Sequence, residues 1–172
     1  MQGIKLDILI EDQRWKKVPH LAVRLVQAAD ATFTLLPKAL RQPLAMTVLL
    51  TNDQHVTRLN HDFRGFNKPT NVLSFPQFSK GKLTKKGKSA APIHVGDIVL
   101  GYQYIVAEAK NNHKILINHA VHLLIHGILH ILGYDHASNV EAIRMERLET
   151  RIMAELALPD PYERQPRELK VR

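Results

Sequence analysis

Residues 114–136 read KILINHAVHLLIHGILHILGYDH, and the reading of that run decides the fold. Apolar residues recur at helical spacing from Ile115 to Leu132, and Gly133 offers a natural left-handed helix end. A helix over Lys114–Leu132 is therefore expected at the centre of the molecule. His119, His122, His126 and His130 interrupt its apolar surface, which excludes a membrane span. On the carboxyl side, Ser138-Asn139 caps a last amphipathic helix reaching about Leu156. On the amino side, Ile4, Leu6, Ile8 and Ile10 alternate with polar residues as a half-buried strand, and Pro19 opens a helix over His20–Ala29. Met46–Leu50 is a short strand, Thr51-Asn52-Asp53 supplies caps for a helix over Gln54–Asp62, and residues 64–70 (RGFNKPT) form a loop. Asn71–Phe75 is a strand stopped by Pro76, His94–Gly101 another strand, and Tyr102–Asn111 a helix. Strands early and helices late give an α+β class. The expected architecture is one small mixed β-sheet packed against several helices, with a metal site on the central helix and the turn after it. Residues 1–158 form the single domain and 159–172 a charged tail.

Size and composition agree with this. The chain has 172 residues, 45% hydrophobic and 23% charged, which suits one globular domain and excludes wholesale disorder. Cysteine is absent, so disulfides, iron–sulfur clusters and thiol nucleophiles are excluded. Met1–Asp12 carries three acids and no basic segment ahead of an apolar block, so a cytoplasmic protein without a secretory signal is expected. The formal charge is +8, and the excess of bases lies in the first two thirds of the chain. Such a field favours polyanionic partners. Aromatic residues make up only 6%, which argues against base stacking as the main mode of RNA contact. Lys80, Lys82, Lys85, Lys86 and Lys88 crowd five charges into nine residues; such a run is commonly a solvated loop, but with the +8 balance a phosphate-backbone contact to RNA is expected.

The histidines carry the chemistry. Imidazoles at i and i+4 reach one metal ion because adjacent turns place them side by side. His122, His126 and His130 cannot all do so, since His122 and His130 stand about 12 Å apart along the axis. The third ligand comes from elsewhere, and His136, returned by the turn at Gly133, is the economical candidate. Three histidines with one open position make a catalytic zinc arrangement. The run from His126 to His136 matches H-x-x-x-H-x-x-G-x-x-H, the ligand spacing of metzincin proteases, but Gly127 stands where the protease has its general-base glutamate. His119 and His122 read as packed, hydrogen-bonded core residues. Asp135 either orients a histidine through a hydrogen bond or caps the turn.

HGILHILGYDH at 126–136 resembles the YbeY-type endoribonucleases, whose motif is HGxLHLxGYDH; only Ile131 departs. Two further blocks agree. Leu59-Asn60 through Arg64-Gly65 and then Lys68–Pro76 (KPTNVLSFP) are similar to the family's YRGxxxPTDVLSFP region, with Asn71 for the usual aspartate, and Gly96-Asp97-Ile98 is similar to its GDIxI strand. The resemblance covers roughly residues 46–156 and leaves out the lysine-rich loop and the tail after Pro159. It implies a zinc-dependent, single-strand-specific endoribonuclease with one Zn²⁺ per chain, acting in ribosomal RNA maturation at the 16S 3′ end and in ribosome quality control. It implies His126, His130 and His136 as ligands and Arg64 as the key basic residue. The expected partners are ribosomal RNA and the ribosome or its proteins, with no membrane and no organic cofactor. The rivals are a non-enzymatic ribosome-assembly factor with a structural metal and, against the evidence of Gly127, a metallopeptidase.

Overall fold

A computed structural model describes residues 3–79 and 91–163; the five loop lysines between 80 and 88 lie outside the described residues. The elements run β1 (Ile4–Ile10), α1 (Leu21–Leu35), β2 (Leu44–Thr51), α2 (Asp53–Arg64), β3 (Val72–Pro76), β4 (Ile93–Gly101), α3 (Tyr102–Asn111), α4 (Leu116–Ile131) and α5 (Asn139–Glu155). The four strands form one mixed sheet in the order β1-β2-β4-β3. β1, β2 and β4 are parallel, with α1 as the crossover between β1 and β2, and β3 closes one edge antiparallel to β4.

Alternation within the strands places helices on both faces. Leu44, Met46, Val48 and Leu50 of β2, with Ile98 and Leu100 of β4, point at α1, α4 and α5 in the main core. Leu49, Leu73 and Val99 point the other way and meet Val56 and Leu59 of α2. Four-residue steps along α4 bury Ala120, Leu124 and Ile128 completely, so this helix is the hub of the core.

Two helices run on past their expected ends. α1 continues six residues past Ala29, because Ala31, Thr32 and Phe33 still face the core and the Thr32 hydroxyl donates back to Ala28 O at 2.7 Å. α2 continues through Arg64, which is therefore helical and not part of the following loop. Its stop is Gly65, at φ 75°, the left-handed conformation glycine adopts without strain. The Gly65 N–H donates to His61 O at 2.9 Å and the Phe66 N–H to Asn60 O at 3.3 Å.

Two glycines let backbones approach near the end of α4. β4 carries one extra residue, Val95, where the register with β2 shifts. At Gly96, just beyond it, a Cβ would lie 2.5 Å from Phe75 O. At Gly127, a Cβ would lie 3.1 Å from both Ile98 Cγ2 and Ser74 Oγ. α4 therefore rests directly on β3 and β4 at the turn that carries His126.

Candidate metal centre

α4 presents His126 and His130 on one side, and the chain reverses at Gly133, whose φ is 92°. The Tyr134 N–H closes that turn on Leu129 O at 3.0 Å. His136 is thereby carried back beside the helix. One ligand atom from each of His126, His130 and His136 lies within 4.8 Å of the others. His126 and His130 face each other through their Nε2 atoms at 3.0 Å, and the His136 ring stacks on that of His126 with centroids 5.7 Å apart. His126 and His130 are half-buried and His136 is exposed, so the cluster opens on one side to solvent.

The protonation pattern suits a cation. His126 Nδ1 is 2.6 Å from Oε1 of Glu149, which projects from α5 and is wholly buried. Burial favours the neutral acid, but the neighbouring imidazoles of His122 and His126 outweigh it and hold the Glu149 carboxyl down at about 2. An ionised carboxylate only accepts, so His126 must donate from Nδ1, which leaves Nε2 to face the cluster. Burial, reinforced by His126 and His136, drives the His130 imidazole down to about 4, so it is neutral at pH 7. Imidazole nitrogens gathered around one point, one of the rings braced by a carboxylate, are the donor set of a metal–histidine centre. The three histidines fit a metal ion.

Glu149 is the functional residue that the sequence reading missed. The signal was there: Met145, Glu149, Ile152 and Met153 form one buried stripe along α5, and a carboxylate on such a stripe requires a partner. The Tyr162 hydroxyl donates to its other oxygen, Oε2. Tyr162 belongs to the segment read as the start of the tail, and that segment packs on the domain, with Lys114 Nζ donating to Pro161 O at 2.7 Å. Asp135 takes the turn-capping role: its Oδ1 accepts the His136 backbone N–H at 2.8 Å.

The other half of α4 is different. His119 Nε2 meets Glu108 Oε2 at 2.6 Å, and Asn71 donates to the same carboxylate at 3.0 Å. Asn71 thus serves Glu108 and the start of β3. An aspartate at 71 would set a second carboxylate against Glu108. His122 is buried with its Nε2 3.6 Å from Glu149 Oε2, beyond hydrogen-bond reach.

Arg64 is exposed at the end of α2. Its neighbour Phe63 meets Phe75 edge-on at 5.0 Å, and the next residue, Pro76, lines a cleft of about 220 Å³ together with His130 and Asp135. The missing protease glutamate also has a structural reason. Position 127 faces the sheet, against Ile98 and Ser74, and a side chain there fits only if those neighbours give way.

The family described as Endoribonuclease YbeY matches residues 9–157. The chain belongs to this family. A Rhizobium etli protein named Endoribonuclease YbeY is 39% identical over 170 residues, covering 96% of each chain. One from Sphingopyxis alaskensis with the same name is 41% identical over 153 residues, covering 86% of this chain and 91% of its own. The solution structure of a Thermotoga maritima protein shares the fold, with a TM-score of 0.54 at 22% identity, over 92% of this chain and 99% of the other. The resemblance read from the YbeY motif at 126–136 is thus borne out across nearly the whole chain. So is the α+β class, with one small mixed sheet.

Proposed function

We propose that this protein is a zinc-dependent endoribonuclease that cleaves single-stranded RNA in ribosomal RNA maturation, at the 16S 3′ end, and in ribosome quality control. It works in the cytoplasm with the ribosome or its proteins as partners. The observation that carries the reading is the cluster of three imidazoles, His126, His130 and His136, in a chain of the YbeY family. Each would give one nitrogen to a single Zn²⁺. When bound, the metal supplies a Lewis acid that polarises a phosphoryl oxygen.

This chain's own residues do the rest. Glu149 fixes the His126 ring and its tautomer. The cleft lined by Pro76, Val95, His130 and Asp135 admits one segment of backbone beside the cluster. Arg64 brings a planar fork of N–H donors to two phosphoryl oxygens, where negative charge accumulates in the transition state. Catalysis is favoured over a structural metal by the ligand count. Structural zinc sites close all four positions with protein donors, whereas the cluster among the described residues has three. No helix among the described residues is long and apolar enough to cross a membrane.

Arg64→Ala tests the reading. Metal analysis should find one zinc per chain, melting should stay near the wild type, and RNA binding should change by only a few-fold. Turnover should fall by roughly 10² or more, the scale of losing one charge-stabilising donor. Lysine at that position should restore only part of it. Loss of zinc or of fold would make Arg64 structural. An inert variant that still restores 16S 3′-end maturation in cells would favour the assembly-factor reading.

A further inference from the structure

The two most exposed aromatic side chains among the described residues, Phe63 at 68% and Phe66 at 52%, stand on either side of Arg64. Single exposed apolar residues are ordinary. Two phenyl rings within four residues, interleaved with cations in Phe63-Arg64-Gly65-Phe66-Asn67-Lys68, are a different feature.

Their presentation is fixed. Gly65 ends α2, and the Phe66 N–H is tied back to Asn60 O. The side chain of Asn60, 2% exposed, donates from Nδ2 to Lys68 O at 2.8 Å and so clamps the loop to the helix. Phe63 is braced edge-on by Phe75, with ring planes at 65°. Lys68 Nζ lies 5.7 Å from the centre of the Phe66 ring. The adjoining acid in the sequence, Asp62, is engaged by His61 at 3.1 Å. The feature is therefore a rigid apolar surface under positive charge, at the end of the sheet where Pro76 borders the cleft of His130.

We propose that Phe63 and Phe66 form a stacking platform for unpaired nucleobases flanking the phosphate that Arg64 engages. The proposal rests on the endoribonuclease reading and deepens it, because it gives the preference for single strands a physical source. In a duplex the base faces are already stacked on one another, and only splayed bases can lie on a protein ring. The aromatic content of 6% does not oppose this, since exposure and placement decide the matter and two rings suffice. Charge complementarity selects the occupant: phosphates meet Arg64 and Lys68 while bases meet the rings. An apolar protein segment would leave both cations without a counter-charge.

The test uses the metal-loaded full chain and fluorescein-labelled ten-nucleotide oligomers: 2′-O-methyl uridine, checked by gel for intactness, and an abasic phosphodiester of equal length. Phe63→Ala and Phe66→Ala should each raise the dissociation constant for the uridine oligomer by about tenfold, the scale of one lost base–aromatic stack. Affinity for the abasic oligomer should not move. Phe63→Tyr and Phe66→Tyr should recover the binding. In cleavage of a uridine RNA, KM should rise far more than kcat falls, because the platform holds ground state and transition state alike. Phe63→Trp should give an emission that the uridine oligomer quenches and the abasic one does not. Equal weakening of both oligomers, or of neither, overturns the platform. A wild-type protein that cleaves no RNA overturns the endoribonuclease reading instead.

Discussion

The two halves of α4 carry the same residue type to opposite ends. In the first half, His119 closes on Glu108 and His122 is packed between Glu149 and the Tyr162 ring, whose centroid is 5.5 Å away. In the second half, His126 spends Nδ1 on Glu149 and turns Nε2 to His130, and His136 joins the pair. A histidine on a helix face is thus neither a ligand nor a core residue by itself. What separates the fates is where the carboxylates come from and whether the chain returns another imidazole. Glu108 is supplied by α3 and Glu149 by α5, but only the turn at Gly133 brings back a third ring.

Paired substitutions at the two ends should give the widest separation. His130→Ala should abolish stoichiometric zinc. It should also lower stability by about 4 kcal/mol where free metal stands a thousandfold above its dissociation constant. His122→Ala should keep one equivalent. Metal analysis of both proteins checks this, and a full equivalent in His130→Ala would erase the contrast.

Glu149→Gln sharpens the comparison. The amide no longer demands the Nδ1 proton of His126, so zinc affinity, measured by chelator competition, should drop between about tenfold and a hundredfold. An unchanged affinity would show that the carboxylate serves the core alone.

Acid should find the metal-free protein through the same helix. Burial holds both His122 and His130 below the usual imidazole value, His130 at about 4. Between about 6.5 and 4 the unfolded chain binds more protons than the folded one, so stability, complete above 6.5, is lost as pH falls through that window. Glu149, held at about 2, remains ionised there and adds its own loss only below about 4.5. Thermal melts across pH 4–7 should show the decline, and a flat profile would contradict it.

The smallest effect concerns the face of α4 turned to the sheet. Helix propensity favours Gly127→Ala by about 1 kcal/mol. The new methyl group, however, would meet Ile98 and Ser74 in a part of the core that has little freedom to give. A net destabilisation of about 1 kcal/mol is expected from overpacking, read as a drop in melting temperature. A stabilised variant would mean that α4 can lift off β4 there.

Much of this was legible in one dimension because it is local. The period of residues 114–132 set the central helix, the spacing of His126, His130 and Gly133 marked the candidate metal ligands, and strand alternation set the two faces of the sheet. These follow from backbone geometry, which repeats every few residues and needs no knowledge of distant chain. The end of α1 and the helical state of Arg64 were not legible, because burial of Ala31–Phe33 and the cap at Gly65 outweighed the polar residues there. Nor was Glu149, which lies 23 residues from His126 and meets it only because α5 packs on α4. The sequence by itself determined which residues could hold a metal. Tertiary structure alone decided which imidazoles gather at one point and which are paired elsewhere, because that depends on a carboxylate and a returning turn that no helical period encodes.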